Sequence, residues 1–134
     1  MFDPARPTLK FRLVGGSPLG LFWLSLGSVA VVEAAVAAGA EAIVIDMQHG
    51  LFDRAGLEAA VGAAPPAVPC LVRVEDDGAT VIGRALDAGA EGIIVPMVNS
   101  EAEARKASYW LAAVRVSDAC EQQQSNGNGS YRAS

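Results

Sequence analysis

The residues best suited to chemistry stand directly after short apolar runs. His49 is the only histidine of the chain and lies just beyond the run Ala42–Ile45 and the acid Asp46. An imidazole titrates near neutral pH, which suits a general base. The alternative is a loop histidine without a role, and position alone does not decide between the two.

Arg73 ends a second apolar run, Cys70–Val72. A guanidinium at such a position is costly unless it is paired. It either binds a carboxylate ligand through a two-pronged fork or forms an ion pair with an acid at the end of a neighbouring strand. The residue types favour neither alternative.

Two acids accompany these side chains. Asp46 follows an apolar run and could simply end a strand. Asp87 lies near the predicted end of a helix, where a carboxylate is electrostatically unfavourable, so a compensating partner is expected. The alternative for Asp87 is an exposed side chain that costs about a few tenths of a kcal/mol.

A repeat shows which elements must position these residues. The segment Ala38–Asp46 reads almost the same as Ala88–Pro96, which starts 50 residues later. That spacing suits two βα units. The predicted strands are Leu19–Leu26, Glu41–Asp46, Cys70–Val74 and Gly92–Pro96. The helices that follow them begin at the caps Ser28, Asp53 and Asp77 and at the capping box Ser100–Glu103. A short leading helix is predicted over Leu9–Val14.

Strict alternation of strand and helix predicts an α/β fold with a parallel sheet and helices outside it. Two architectures fit: an open doubly wound sheet, and the first four βα units of a (βα)₈ TIM barrel, which normally takes about 250 residues. In both, active sites gather at the carboxyl ends of the strands. His49, Arg73 and the strand-end acids are therefore expected at one edge.

Composition narrows the class of protein. The chain has 134 residues, a net charge of −5 and no basic run, which argues against a nucleic-acid partner. It has no apolar run of about 18 residues and no signal-peptide pattern, so no membrane partner and a cytoplasmic location are expected. Cys70 and Cys120 form neither a disulfide framework nor a metal-ligand spacing.

The polar, aperiodic stretch 117–134 predicts a disordered tail after a domain over residues 1–116.

Several linked motifs resemble the HpcH/HpaI aldolase family. They cover roughly residues 15–107 and are Ile45-Asp46-Met47-Gln48-His49-Gly50, Leu71-Val72-Arg73-Val74, Arg84–Ala90 and Ile94–Val98. The resemblance implies a class II pyruvate aldolase on a TIM barrel that uses Mg²⁺ or Mn²⁺. The resemblance also implies the substrates, which are 4-hydroxy-2-oxoacids such as 4-hydroxy-2-oxoheptanedioate or 2-dehydro-3-deoxyglucarate. The implied reaction cleaves them to pyruvate and an aldehyde.

The same resemblance assigns roles to individual residues. It implies that His49 is the catalytic base, that Asp87 is its carboxylate partner, and that Arg73 holds the carboxylate and enolate of pyruvate. Gln48 is implied as a substrate-binding residue, although many members carry Glu there, and Asp46 as a supporting residue beside the base. The metal ligands of the family lie on later strands, so no metal ligand is assigned in this chain.

The resemblance ends near Ala107, which implies a truncated half-barrel. Such a chain is expected to be inactive alone, and its unpaired edge strands predict a homo-oligomer. The alternative function is a non-catalytic half-barrel that associates with itself through its open strand edges.

Overall fold

The computed structural model describes residues 9–16 and 18–109. Helices and strands alternate along it. The strands are β1 (Leu21–Leu24), β2 (Ala42–Asp46), β3 (Cys70–Arg73) and β4 (Gly92–Ile94). The helices are α1 (Leu9–Val14), α2 (Val29–Ala37), α3 (Arg54–Ala63), α4 (Ala79–Asp87) and α5 (residues 101–109).

The four strands form one parallel sheet in the order β1-β2-β3-β4. This confirms the predicted α/β class with a parallel sheet. The register pairs Trp23 with Val44 and Asp46 with Arg73. Because side chains alternate between the faces of a strand, Trp23, Asp46 and Arg73 lie on the same face of the sheet.

The opposite face of the sheet carries the main core. Branched strand residues pack there against small and aliphatic helix residues, an arrangement that allows helices to approach a parallel sheet closely. The core comprises Ile43 and Ile45 of β2, Cys70 and Val72 of β3, Val32 and Ala35 of α2, Leu57 and Ala60 of α3, and Ile82 and Ala85 of α4.

Helix α1 lies at the amino ends of the strands. Nη1 of Arg12 donates to the carbonyl oxygen of Glu41 at 2.9 Å, and the Glu41 carboxylate accepts from the backbone N–H of Gly20 at 2.8 Å. Leu9 is buried beside β4, where a Cβ on Gly92 would lie 3.3 Å from its side chain. These contacts anchor α1 away from the carboxyl edge, where the candidate site lies.

The strands at the two sides of the sheet are shorter than predicted. The first strand was expected over Leu19–Leu26 but spans β1 only, and the fourth was expected to reach Pro96 but ends at Ile94. Each of these strands is hydrogen-bonded to one neighbour within the described residues. Pro96 lies beyond the end of β4, and a proline has no backbone N–H with which to continue the hydrogen bonds of the sheet.

The predicted N-cap of α4 is wrong. Gly78, not Asp77, occupies the cap position, and its backbone N–H bonds to the carboxylate of Asp76 at 2.7 Å. Asp77 instead pairs with Lys106 of α5 at 2.9 Å. A charged partner on a neighbouring helix thus competes with the local capping bond.

Other caps follow the sequence more closely. The Asp53 carboxylate accepts from the backbone N–H of Gly56 at 2.7 Å. Ser100 and Glu103 form the predicted reciprocal capping box, with bonds of 3.2 and 3.1 Å. Ser28 is the N-cap of α2, but its side chain makes no capping bond.

No helix within the described ranges is long and apolar enough to cross a membrane. The predicted domain boundary at residue 116, the predicted tail over 117–134 and Cys120 lie outside the described residues.

We expect Ile45→Ala to lower the free energy of unfolding by about 2–5 kcal/mol, because it opens a cavity at a fully buried position between the sheet and its helices. Leu26→Ala, at a side chain that is 66% exposed, is the control and should change stability by less than about 0.5 kcal/mol. Urea unfolding followed by circular dichroism measures both. Equal losses in the two variants would contradict the assignment of the core.

Candidate functional site

A buried carboxylate at the end of β2 organises the carboxyl edge of the sheet. Asp46 is only 2% exposed. Its Oδ1 accepts from Nε of Arg73 at 3.0 Å and from the backbone N–H groups of Gln48 and His49 at 3.0 and 3.1 Å. Its Oδ2 accepts from Nη2 of Arg73 at 2.5 Å and from Nε1 of Trp23 at 3.1 Å. Both oxygens are therefore satisfied by hydrogen-bond donors.

These bonds keep Asp46 ionised. Burial raises the pKa of its carboxyl group, but the hydrogen bonds from Arg73, His49, Trp23 and Gln48 outweigh burial and hold the pKa well below its usual range. The group is thus a fixed negative charge at neutral pH, not a group that exchanges protons during a reaction.

Arg73 forms the ion pair with a neighbouring strand-end acid that the sequence left as one of two alternatives. Its fork on Asp46 uses two of the five N–H donors of a guanidinium. Three donors, on Nη1 and Nη2, remain, and the side chain is 21% exposed. The ion pair therefore leaves Arg73 able to bind a ligand carboxylate as well.

Trp23 belongs to this site but was not among the site residues predicted from the sequence. Its side chain is 47% exposed, donates to Asp46, and lies with its ring centroid 5.2 Å from the Arg73 guanidinium carbon. The register of β1 on β2 is what could have identified it, because this register places the side chains of Trp23 and Asp46 on the same face of the sheet. A single strand does not show which face carries the polar residues.

The loop after β2 holds His49 at this edge. A Cβ on Gly50 would lie 2.0 Å from the carbonyl oxygen of Asp46, so only glycine fits. The next residue, Leu51, donates its N–H to the carbonyl oxygen of Ser25 at 2.8 Å, which ties the loop to the segment after β1. The backbone of His49 is thereby fixed on both sides.

The structure brings four of the predicted site residues together. Asp46, Gln48, His49 and Arg73 all lie at the carboxyl ends of β2 and β3. The side chain of His49 is exposed and that of Gln48 is partly buried. The imidazole of His49 is therefore open to solvent, at the edge of the sheet that also carries Arg73, and is accessible to a small ligand.

The structure does not bring Asp87 to this group. Asp87 is the last residue of α4 and is exposed. The chain then returns to the amino end of the sheet, where the N–H of Glu91 bonds to the carbonyl oxygen of Cys70 at the start of β3. His49 lies at the opposite edge, so the predicted pairing of Asp87 with His49 has no support within a single chain.

The described residues do not fit a divalent metal ion. No group of three or more His, Cys, Asp or Glu side chains within them could hold one. The acid beside His49, Asp46, has both oxygens engaged by hydrogen-bond donors. Glu75, Asp76 and Asp77 line a separate cleft with Pro96 and its neighbours.

The histidine and the ion-paired arginine lie at the carboxyl edge of a parallel α/β sheet, which is where enzymes of the barrel and doubly wound classes place their active sites. The sequence pattern of the HpcH/HpaI aldolase/citrate lyase family matches residues 19–124, and the chain belongs to this family. Family members among its relatives are named aldolases, which are carbon–carbon lyases.

Relatives of known function cover most of this chain. The hydroxypyruvate/pyruvate aldolase of Paraburkholderia phytofirmans is 41% identical over 103 residues, which are 74% of this chain and 39% of that protein. The 4-hydroxy-2-oxovalerate aldolase of Rhodococcus jostii is 33% identical over 106 residues, which are 78% of this chain and 41% of the relative.

Solved structures agree with the fold. A member of the HpcH/HpaI aldolase/citrate lyase family from Burkholderia cenocepacia superposes with a TM-score of 0.71 at 35% identity, over 76% of this chain and 41% of that one. The chain thus spans about two fifths of the relatives and structures that it matches.

We expect Gly50→Ala to destabilise the fold by about 2 kcal/mol or more, because the new methyl group would meet the carbonyl oxygen of Asp46. Gly62→Ala is the matched control. Gly62 lies inside α3 with nothing within 4 Å of an added Cβ, so it should gain about 0.5–1 kcal/mol. Urea midpoints measure both, and a neutral Gly50→Ala would show that the loop is not held as described.

We expect Asp46→Asn to be less stable at pH 7 by about 3 kcal/mol, since it leaves the partly buried Arg73 without its charged partner. The folded pKa of Asp46 is depressed, so its stabilisation is complete above about pH 5 and is lost as the pH falls through the unfolded value and toward the folded one. The difference between wild type and variant should therefore shrink from pH 5 to pH 3. Unfolding free energies at several pH values measure it, and a gap that does not change with pH would contradict the ion pair.

Proposed function

We propose that this chain carries the base and the carboxylate-binding arginine of an aldolase that cleaves 4-hydroxy-2-oxoacids to pyruvate and an aldehyde. The observation that supports the proposal most is the Asp46–Arg73 ion pair beside an exposed His49 at the carboxyl edge of the sheet. The names of the relatives, hydroxypyruvate/pyruvate aldolase and 4-hydroxy-2-oxovalerate aldolase, agree with this substrate class.

Arg73 would bind the carboxylate of the 2-oxoacid. Asp46 fixes one edge of the guanidinium, and the donors left on Nη1 and Nη2 can form a second fork. The partial burial of Arg73 limits competition from water and strengthens its attraction to an anion. The same cation would also stabilise negative charge that develops on the neighbouring oxygen in the transition state.

His49 would act as the general base. Its imidazole takes the proton of the C4 hydroxyl, the C3–C4 bond breaks, and the C4 carbonyl of the aldehyde forms. The electron pair of the broken bond passes into the enolate of pyruvate. A proton delivered to C3 then gives pyruvate. Gln48, partly buried next to the base, would contact the substrate through its side-chain amide.

The family resemblance implies Mg²⁺ or Mn²⁺, which would supply further positive charge to the enolate when bound. The acids of the described residues do not form such a site. We propose that the ligands belong to the part of the full-length relatives that this chain does not span.

We further propose that the sheet is the first half of a (βα)₈ TIM barrel, within a domain over residues 1–116. Among the described residues, the order of the four strands follows the chain, without the reversal that marks a doubly wound sheet. The barrel would complete the inner face that carries Trp23, Asp46 and Arg73.

The second candidate is a non-catalytic half-barrel that associates with itself. The observation that favours it is the apolar surface of β1, where Leu21, Phe22 and Trp23 are 48%, 42% and 47% exposed. An exposed apolar edge of this kind favours pairing with another chain. A homo-oligomer would result.

A chimera tests the proposed activity. Residues 19–107 of this chain replace the matching segment of the Paraburkholderia aldolase, and pyruvate release from 4-hydroxy-2-oxovalerate is followed with Mn²⁺ present. We expect turnover in the chimera, and a loss in kcat of about 10²–10⁴-fold on His49→Ala, because the base is removed. Arg73→Lys should also reduce kcat/KM, since an ammonium cannot form the fork.

Leu51→Ala, in the same loop at a side chain that is 76% exposed, is the control and should keep the activity of the chimera. The 134-residue chain by itself should release no pyruvate. A His49→Ala chimera with unchanged kcat would remove His49 from the reaction, and an inactive parent chimera would favour the non-catalytic alternative.

A further inference from the structure

Trp23 touches both members of the ion pair but has no part in the chemistry proposed above. Its indole N–H donates to Oδ2 of Asp46 at 3.1 Å. Its ring also lies against the guanidinium of Arg73, 5.2 Å from ring centroid to Cζ. Trp23 therefore makes two separate contacts, one with the carboxylate of Asp46 and one with the guanidinium of Arg73.

We propose that Trp23 is a positioning residue for Arg73, and that it fixes the plane of the guanidinium so that the Nη1 edge is presented to the carboxylate of a 2-oxoacid. The inference rests on the proposed function for the identity of that ligand. The contacts that carry it belong to this chain alone.

Two contacts set the plane of the guanidinium. The fork on Asp46 fixes the Nε and Nη2 edge of the guanidinium, and the ring of Trp23 covers one of its faces. A flat cation held at one edge and one face keeps a single orientation. Cations favour the face of an indole, which gives this contact its own stabilisation.

The alternative is that Trp23 only fills apolar space. A comparison with Leu21 contradicts this alternative. Leu21 lies on the same face of β1 as Trp23 and is nearly as exposed, 48% against 47%, yet an aliphatic side chain is sufficient there. A half-exposed position does not require the largest side chain for packing. The indole N–H bond to a carboxylate that already accepts a fork indicates a polar role.

Nuclear magnetic resonance on the ¹⁵N-labelled 134-residue chain tests the inference, with pyruvate as the probe and acetone, which lacks the carboxylate, as the ligand control. Trp23→Leu removes both contacts and Trp23→Phe removes only the N–H. Phe22→Leu, at the neighbouring position with 42% exposure and the opposite alternation, is the matched control.

We expect the dissociation constant for pyruvate to rise about fivefold or more in Trp23→Leu, less in Trp23→Phe, and not at all in Phe22→Leu. The Nε–H signal of Arg73 should exchange with water about tenfold faster in Trp23→Leu, because the guanidinium leaves its fork more often. Partial recovery in Trp23→Phe separates an effect of the ring on Arg73 from a general loss of packing.

Unchanged pyruvate binding and unchanged exchange at Arg73 in Trp23→Leu would overturn the inference. If the wild-type chain binds no pyruvate, oxoacid binding by this chain fails, and the exchange rate of the Arg73 Nε–H decides the positioning role separately. If Trp23→Leu does not fold, Trp23→Phe decides it: faster exchange than in wild type supports the role, and an unchanged rate overturns it.

Discussion

The ion pair between Asp46 and Arg73 is the interaction on which the candidate site depends. A carboxylate that is 2% exposed at the end of a strand is unstable unless donors surround it, and the structure supplies a guanidinium fork, two backbone N–H groups and an indole. Each of these hydrogen bonds also holds its donor in place beside Asp46. The loop that carries His49 and the orientation of Arg73 are therefore consequences of burying one charge.

Arg73 has a structural role in the ion pair, and the same geometry suits it to the binding role proposed above. A guanidinium can form a fork on one edge and still present donors on another, which an ammonium cannot do. Asp46 holds the Arg73 side chain in place, so little conformational freedom would be lost on binding the proposed ligand. Because Asp46 is ionised at neutral pH and has no vacant oxygen, it can hold Arg73 without taking part in proton transfer.

Much of the fold could be predicted from local pattern. The apolar runs and the capping residues Asp53 and Ser100 specified the number and order of the βα units, because these signals depend on neighbours a few residues away. The predictions failed where a distant partner intervenes. Asp77 pairs with Lys106 instead of capping α4, and no local pattern encodes that choice.

The sequence by itself determined the family, the parallel α/β class and the candidates Gln48, His49 and Arg73, because motif spacing and hydrophobic periodicity are properties of the chain alone. Only the tertiary structure decided which acid meets Arg73 and that Trp23 joins the pair, because strand register sets which side chains share a face. It also separated Asp87 from His49, since a helix that follows a parallel strand carries the chain back to the opposite edge of the sheet.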